Sequence, residues 1–195
     1  RLTLIGCSLI ALACESRNER PPEPTVAASH SENEVSAAEN DGGAQVTGTA
    51  PISADGSLTV VLLEPQSSIT YDIPAEPVQM DQLGMEFLPP VLLAVVGQPV
   101  NFHNSEDVLH NVRVYNIDTQ DTAFNISTPI GGTYEHHFDT AGTYRVACDI
   151  HPAMGASVVV TATPHATVAD RSGNFTLNEV EPGNYTAIVH AGQHL

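Results

Sequence analysis

The chain has 195 residues, with 23 acidic side chains against six arginines and no lysine, for a formal charge of −17. That surface repels nucleic-acid phosphates and excludes them as partners, while it suits a basic protein partner steered by long-range attraction. Hydrophobic residues make up 42% of the chain, enough for a packed core, and glycine and proline scattered throughout predict an all-β fold with many turns.

Leu2 to Ala13 is an apolar run with small residues near its end. It is shorter than the roughly 20 residues that a bilayer span needs. It reads as the apolar region of a signal peptide, with Arg1 left from the charged region before it, so residues 1–13 are expected to be a signal-peptide remnant. Ala11-Leu12-Ala13-Cys14 resembles a bacterial lipobox with Cys14 as the lipidated residue; Ala11-x-Ala13 also suits ordinary signal cleavage. Leu4-Ile5-Gly6-Cys7 is a second lipobox candidate, but it would leave Ser8 to Ala13 as an unprotected apolar stub. With Cys14 lipidated and Cys7 removed, Cys148 has no disulfide partner, and an odd cysteine in an exported protein calls for an explanation. Residues 14–43 are rich in Glu, Ser, Asn, Pro and Ala and poor in large apolar side chains. They are expected to be a disordered tether between a membrane anchor and the folded part.

From Ala44 onward short strand-like runs alternate with turn signals. The predicted strands are Ala44–Thr49, Ser57–Leu63, Val91–Val96, Val100–His103, Asn111–Tyr115, Thr133–Phe138, Thr143–Cys148, Ala156–Ala162, Asn174–Leu177 and Tyr185–His190. Asp170-Arg171-Ser172-Gly173 reads as a turn, since it lacks the further carboxylates of a calcium loop. His136 and His137 are adjacent, so a strand sends them to opposite faces, and both are expected to be ordinary strand residues.

The chemistry concentrates in Cys148-Asp149-Ile150-His151-Pro152-Ala153-Met154, a thiolate, an imidazole and a thioether within seven residues. A mononuclear blue-copper site needs two histidines and a cysteine in a plane, with a weak axial methionine. Soft sulfur ligands suit Cu(I) and imidazole suits both oxidation states, so the mixed set tolerates both. The remaining histidine is expected to be His110, at the head of the strand Asn111–Tyr115. On alternation His110 shares a face with Val112 and Val114, and Cys148 with Tyr144 and Val146. Two such strands side by side would bring imidazole and thiolate together at one end of a sandwich. No Ser/His/Asp grouping and no Gly-rich phosphate loop is visible, so catalysis has no candidate residues and the chain reads as a non-enzyme.

These residues resemble the plastocyanin and amicyanin type of cupredoxin. Phe87-x-Pro89, Val91 to Gly97 and Val100-x-Phe102-x-Asn104 look like that family's opening strands, His110-Asn111-Val112 like its first-ligand motif, and Ala141-Gly142-Thr143-Tyr144 like its lead into the cysteine strand. The short Cys-x-x-His-x-x-Met loop is closer to amicyanin. The resemblance implies a Greek-key β-sandwich over residues 70–161 and one copper ion per chain held by His110, Cys148, His151 and Met154. It also implies that Asn111 fixes the loop by backbone hydrogen bonds, and that the protein transfers single electrons to a redox protein such as a cytochrome or an oxidase. Many bacterial chains that resemble this one in having a cupredoxin inserted into a second small sandwich carry His where this one has Pro90, which stays outside the ligand set. The flanks, residues 44–66 and 162–195, resemble the carboxypeptidase regulatory-like sandwich, through Thr167-Val168-x-Asp170-x-x-Gly173-Asn174-Phe175 and Val180-x-Pro182-Gly183-Asn184-Tyr185. The expected whole is a periplasmic or cell-surface bacterial lipoprotein, touching the membrane only through its lipid. Copper storage, delivery or sensing, or a structural surface module with an unused metal site, are the alternative functions.

Overall fold

A computed structural model of the protein describes residues 36–40, 43–54 and 56–191. The expected signal remnant, Cys14 and residues 15–35 lie outside the described residues. Among the described residues the protein is all-β, built from fifteen strands.

The central sandwich has two sheets. One runs β10 (Thr133–His137), β7 (Pro99–Asn104), β4 (Val78–Leu83), β5 (Glu86–Leu88). The other runs β6 (Val91–Val95), β12 (Gly155–Thr161), β11 (Gly142–Ala147), β8 (His110–Asn116), β9 (Thr122–Thr128). Alternation dictates what they bury. Val100 and Phe102 in β7, Val112 and Val114 in β8, Tyr144 and Val146 in β11 and Ala156, Val158 and Val160 in β12 meet in one core, joined by Met80 and Phe87. Several of these side chains have no exposure at all, Phe102, Val112, Val146 and Val158 among them. β11 lies antiparallel between β8 and β12, with Val146 opposite both Val114 and Ala156. That register sets the start of β8 and the end of β11 at one pole of the sandwich. Two sheets closed on one shared core make this the β-sandwich that the sequence predicts.

The flanks form a second, smaller sandwich. One sheet is β1 (Ser36–Asn40), β2 (Gly43–Thr49), β14 (Asn174–Val180), and the other is β13 (Ala166–Val168), β3 (Thr59–Pro65), β15 (Tyr185–Ala191). Val46, Leu177 and Val180 of the first pack with Leu63 and Tyr185 of the second. The second sandwich joins the far pole of the first, where β12 ends at Thr161 and the Val96 N–H donates to the Thr161 carbonyl.

β1 lies inside the segment expected to be a tether, and it pairs antiparallel with β2 from Ser36↔Thr47 to Asn40↔Gly43. Pairing at a sheet edge is made by backbone groups and does not need the large apolar side chains that this segment lacks. Strands β4, β5, β9 and β13 are also additional to the expected set. β4 carries a fully buried polar residue, Gln82, which breaks the apolar-polar alternation by which a strand is recognised.

Candidate metal centre

His110 heads β8, Cys148 follows the last residue of β11, and His151 and Met154 lie in the loop between β11 and β12. The loop is closed by its own backbone. The Met154 N–H donates to the His151 carbonyl at 2.9 Å, and the Cys148 N–H to the Met154 carbonyl at 3.3 Å. His110 is fully buried, and Cys148 and Met154 are each 2% exposed. His151 is half-buried and flanked by exposed Ile150, Pro152 and Ala153.

Three of the four expected ligands converge. Cys148 Sγ lies 3.8 Å from His110 Nδ1 and 3.7 Å from His151 Nδ1, and the two Nδ1 atoms are 3.0 Å apart. No other group of three or more His, Cys, Asp or Glu side chains among the described residues is placed to hold a metal ion. A first-row ion at ordinary lengths, about 2.0 Å to nitrogen and about 2.3 Å to sulfur, subtends these edges at angles of about 97°, 119° and 124°. The residues present therefore fit a near-trigonal ion with two nitrogens and one sulfur, the donor set of a blue-copper centre. Met154 packs in the same buried cluster as Cys148.

Asn111 organises the ligand loop. Its Oδ1 accepts the Asp149 N–H at 2.7 Å, the Ile150 N–H at 3.3 Å and the Cys148 thiol at 3.3 Å. Its Nδ2 donates to Asn125 Oδ1 at 2.9 Å and Asp149 Oδ2 at 3.2 Å. Asn125 Nδ2 also donates to Asp149 Oδ2 at 2.9 Å, and Arg113 Nε forms an ion pair with Asp149 Oδ1 at 2.8 Å. Beneath His110, buried Asn104 ties the ligand's own loop together, with Nδ2 donating to the carbonyls of Val108 and Thr128. Buried Gln82 spans the two sheets. It accepts the Thr128 hydroxyl at 2.6 Å and donates to the Asn111 carbonyl at 3.3 Å.

Glu106 places Oε2 2.6 Å from His110 Nε2 and is only 13% exposed in its side chain. The Met85 N–H, and after it the His110 imidazole, hold its carboxyl below the usual carboxylate range. Sequence reasoning missed Glu106, Asp149, Asn125, Arg113 and Gln82. They come from separate places, Gln82 in β4, Arg113 in β8, Asn125 in β9 and Glu106 and Asp149 in loops, so strand alternation carries no signal for them.

Other histidines fall outside this centre. His136 and His137 point to opposite faces of β10, as expected, with His136 packed on Phe124 and Phe138. His103 Nδ1 lies 2.7 Å from the Thr133 hydroxyl. His165, which has no visible partner in the sequence, is buried with Nε2 2.6 Å from Glu181 Oε2. Asp170 accepts the N–H groups of Ser172 and Asn174 in a tight turn. Pro90 takes part through its backbone, its carbonyl accepting the Ser157 N–H at 3.0 Å.

Residues 75–163 match the family of copper binding proteins of the plastocyanin/azurin type. That segment is a cupredoxin domain. Its His–Cys–His cluster takes one copper ion. Among solved structures, the chain is similar to a purple cupredoxin from Nitrosopumilus maritimus, at 24% identity and TM-score 0.39, over 43% of this chain and 99% of that one. It is also similar to amicyanin from Paracoccus versutus, at 26% identity and TM-score 0.40, over 51% of this chain and 97% of that one. A copper-containing nitrite reductase from Thermus scotoductus matches at 26% identity and TM-score 0.41, over 50% of this chain and only 25% of the reductase. No curated protein matches the chain significantly.

Proposed function

We propose that this cupredoxin carries single electrons between redox proteins outside the cytoplasm, with His110, Cys148, His151 and Met154 holding its copper. The observation that carries the reading is the buried triangle of two imidazole nitrogens and one thiol sulfur, with edges of 3.0, 3.7 and 3.8 Å. Copper bound there supplies a one-electron Cu(II)/Cu(I) couple. The protein contributes donors that suit both oxidation states and packing that keeps them from rearranging between the two. Metal binding takes a deprotonated ligand, so the proton that Cys148 shares with Asn111 Oδ1 leaves the site on loading.

The surface of the copper pole supports electron exchange. In the cupredoxin segment the exposed large apolar side chains are Leu83, Met85, Leu88, Val108, Leu109, Ile130 and Ile150. They lie in turns and loops or at the strand ends beside them, Leu83 closing β4 and Leu88 closing β5, at the pole where β8 begins and β11 ends. Weak redox encounters bury little area, and an apolar rim around the half-buried His151 suits such an encounter. Acidic Asp81, Glu86, Asp107 and Asp149 at the same pole favour a basic partner, such as a cytochrome or an oxidase domain. The flanking sandwich at the far pole is assigned a carboxypeptidase regulatory-like spacer role. Lipidation at Cys14 would tether the protein to a bacterial membrane.

The test is to load the full chain with Cu(II) and record absorption and electron paramagnetic resonance spectra. Intense thiolate-to-copper absorption that bleaches on reduction and vanishes in Cys148→Ser is expected. Weak copper bands indifferent to Cys148 would reject the centre. Ala153→Lys should slow electron exchange with a basic cytochrome while copper stays bound, and an unchanged rate would sink the docking assignment.

A further inference from the structure

The Glu106 carboxylate is anchored at both oxygens. Oε2 meets His110 Nε2 at 2.6 Å, and Oε1 accepts the Met85 N–H at 2.9 Å. Met85 and Gly84 have successive positive φ angles of 61° and 64° in the turn between β4 and β5, a turn that aims the Met85 N–H at the loop before β8. The Glu106 N–H donates in turn to Oδ1 of fully buried Asn104.

An imidazole has two distinct nitrogens, and the partner of one fixes the state of the other. In His110, Nδ1 faces Cys148 and His151 while Nε2 faces the carboxylate. A carboxylate accepts only, so Nε2 carries the proton and Nδ1 keeps its lone pair for a metal. We propose that Glu106 is a positioning residue for the copper centre, fixing this tautomer of His110 and, by its charge, biasing the centre toward Cu(II). The inference rests on the copper reading above. A neutral acceptor would orient the ring equally well. A fixed negative charge also favours the more positive ion, which lowers the reduction potential.

Asp81 supplies the control. Its carboxylate accepts the N–H and hydroxyl of Ser105 in the same loop, at 3.2 and 2.7 Å, without touching His110. In the copper-loaded full chain, Glu106→Gln should lower the ratio of Cu(II) to Cu(I) affinity about tenfold, raising the potential by about 59 mV. Asp81→Asn should shift it by less than a third as much. In the diamagnetic Cu(I) protein the His110 Nε2–H proton should exchange slowly with water, and faster in Glu106→Gln. An unmoved potential in Glu106→Gln, or an equal shift in Asp81→Asn, overturns the inference while the wild-type thiolate band leaves the copper reading standing. A wild-type protein without a Cys148-dependent band fails both. If Glu106→Gln does not retain copper, Glu106→Asp decides: retention there supports the role of the charge, and loss there overturns it.

Discussion

Removing the Asn111 side chain should destabilise the metal-free protein by about 2–3 kcal/mol. Asn111 is 6% exposed, and its Oδ1 serves the Asp149 and Ile150 N–H groups at 2.7 and 3.3 Å. An intramolecular hydrogen bond contributes about 1 kcal/mol net, and a donor left without a partner costs more. Asp149 and Ile150 are exposed, so water recovers part of the loss. The two Nδ2 bonds add a smaller share because their acceptors are near the surface. Asn125→Ala is the comparison, since Asn125 is exposed and serves only the outer side of the same network. It should cost less than about 1 kcal/mol. Urea unfolding of the full metal-free chain measures both, from midpoints at unchanged slope. A loss under about 1 kcal/mol for Asn111→Ala, or equal losses for the two variants, would refute the view that Asn111 holds the ligand loop in place before metal arrives.

Three further outcomes are expected. Burial among aromatic rings lowers the His136 pKa from its ordinary 6.5, against an opposing pull from Asp139 and with a smaller push from His137. The folded protein thus binds that proton more weakly than the unfolded chain, so stability is lost as pH falls below about 6.5. His136→Phe should gain stability relative to wild type between pH 7.5 and 5.5 in urea melts, and parallel curves would contradict this. Phe102 has no exposure and meets Phe124 edge-to-face at 5.4 Å, so Phe102→Ala should cost about 3–5 kcal/mol in the same melts. Gly173 has φ 84°, and a Cβ there would collide with the Ala50 carbonyl. Gly173→Ala should therefore lower thermal stability while leaving the copper absorption band unchanged, because the strain falls in the flanking sandwich; a shifted band would contradict that separation.

Three of the four ligand candidates were expected from spacing, which is a local property of the sequence. Cys148, His151 and Met154 sit at offsets of three and six within one loop. The fourth residue, His110, was found by alternation, which places it on the face of Val112 and Val114, and both of those valines are fully buried. Most strands of the central sandwich were legible for the same reason. β11 reads Tyr144, Val146 inward, and its predicted end at Cys148 is one residue past the observed end at Ala147. β4 was not legible, because its buried positions hold Met80 and Gln82, and a buried glutamine has the appearance of a surface residue until its partners on other strands are known. β1 escaped for the opposite reason: its pairing is made by backbone groups that every residue carries.

The residues around the copper centre divide along the same line, and the division has a physical cause. A ligand must present a particular donor atom, which restricts the residue type and leaves a mark in the sequence. A supporting group need only present charge or a hydrogen bond at the right place, and many residues on many elements can do so. Glu106 acts on His110 from four residues away on a loop, steadied by a turn twenty-one residues before it. Asp149 adjoins Cys148 in sequence, yet its partners Arg113 and Asn125 come from two other strands. The ion that binds here is thus written in a seven-residue loop and one distant histidine. The balance between its two oxidation states is written in side chains that only the fold brings into contact. Changes at Glu106 and Asp149 should therefore move the potential without touching a ligand, whereas changes at Cys148 should abolish the centre.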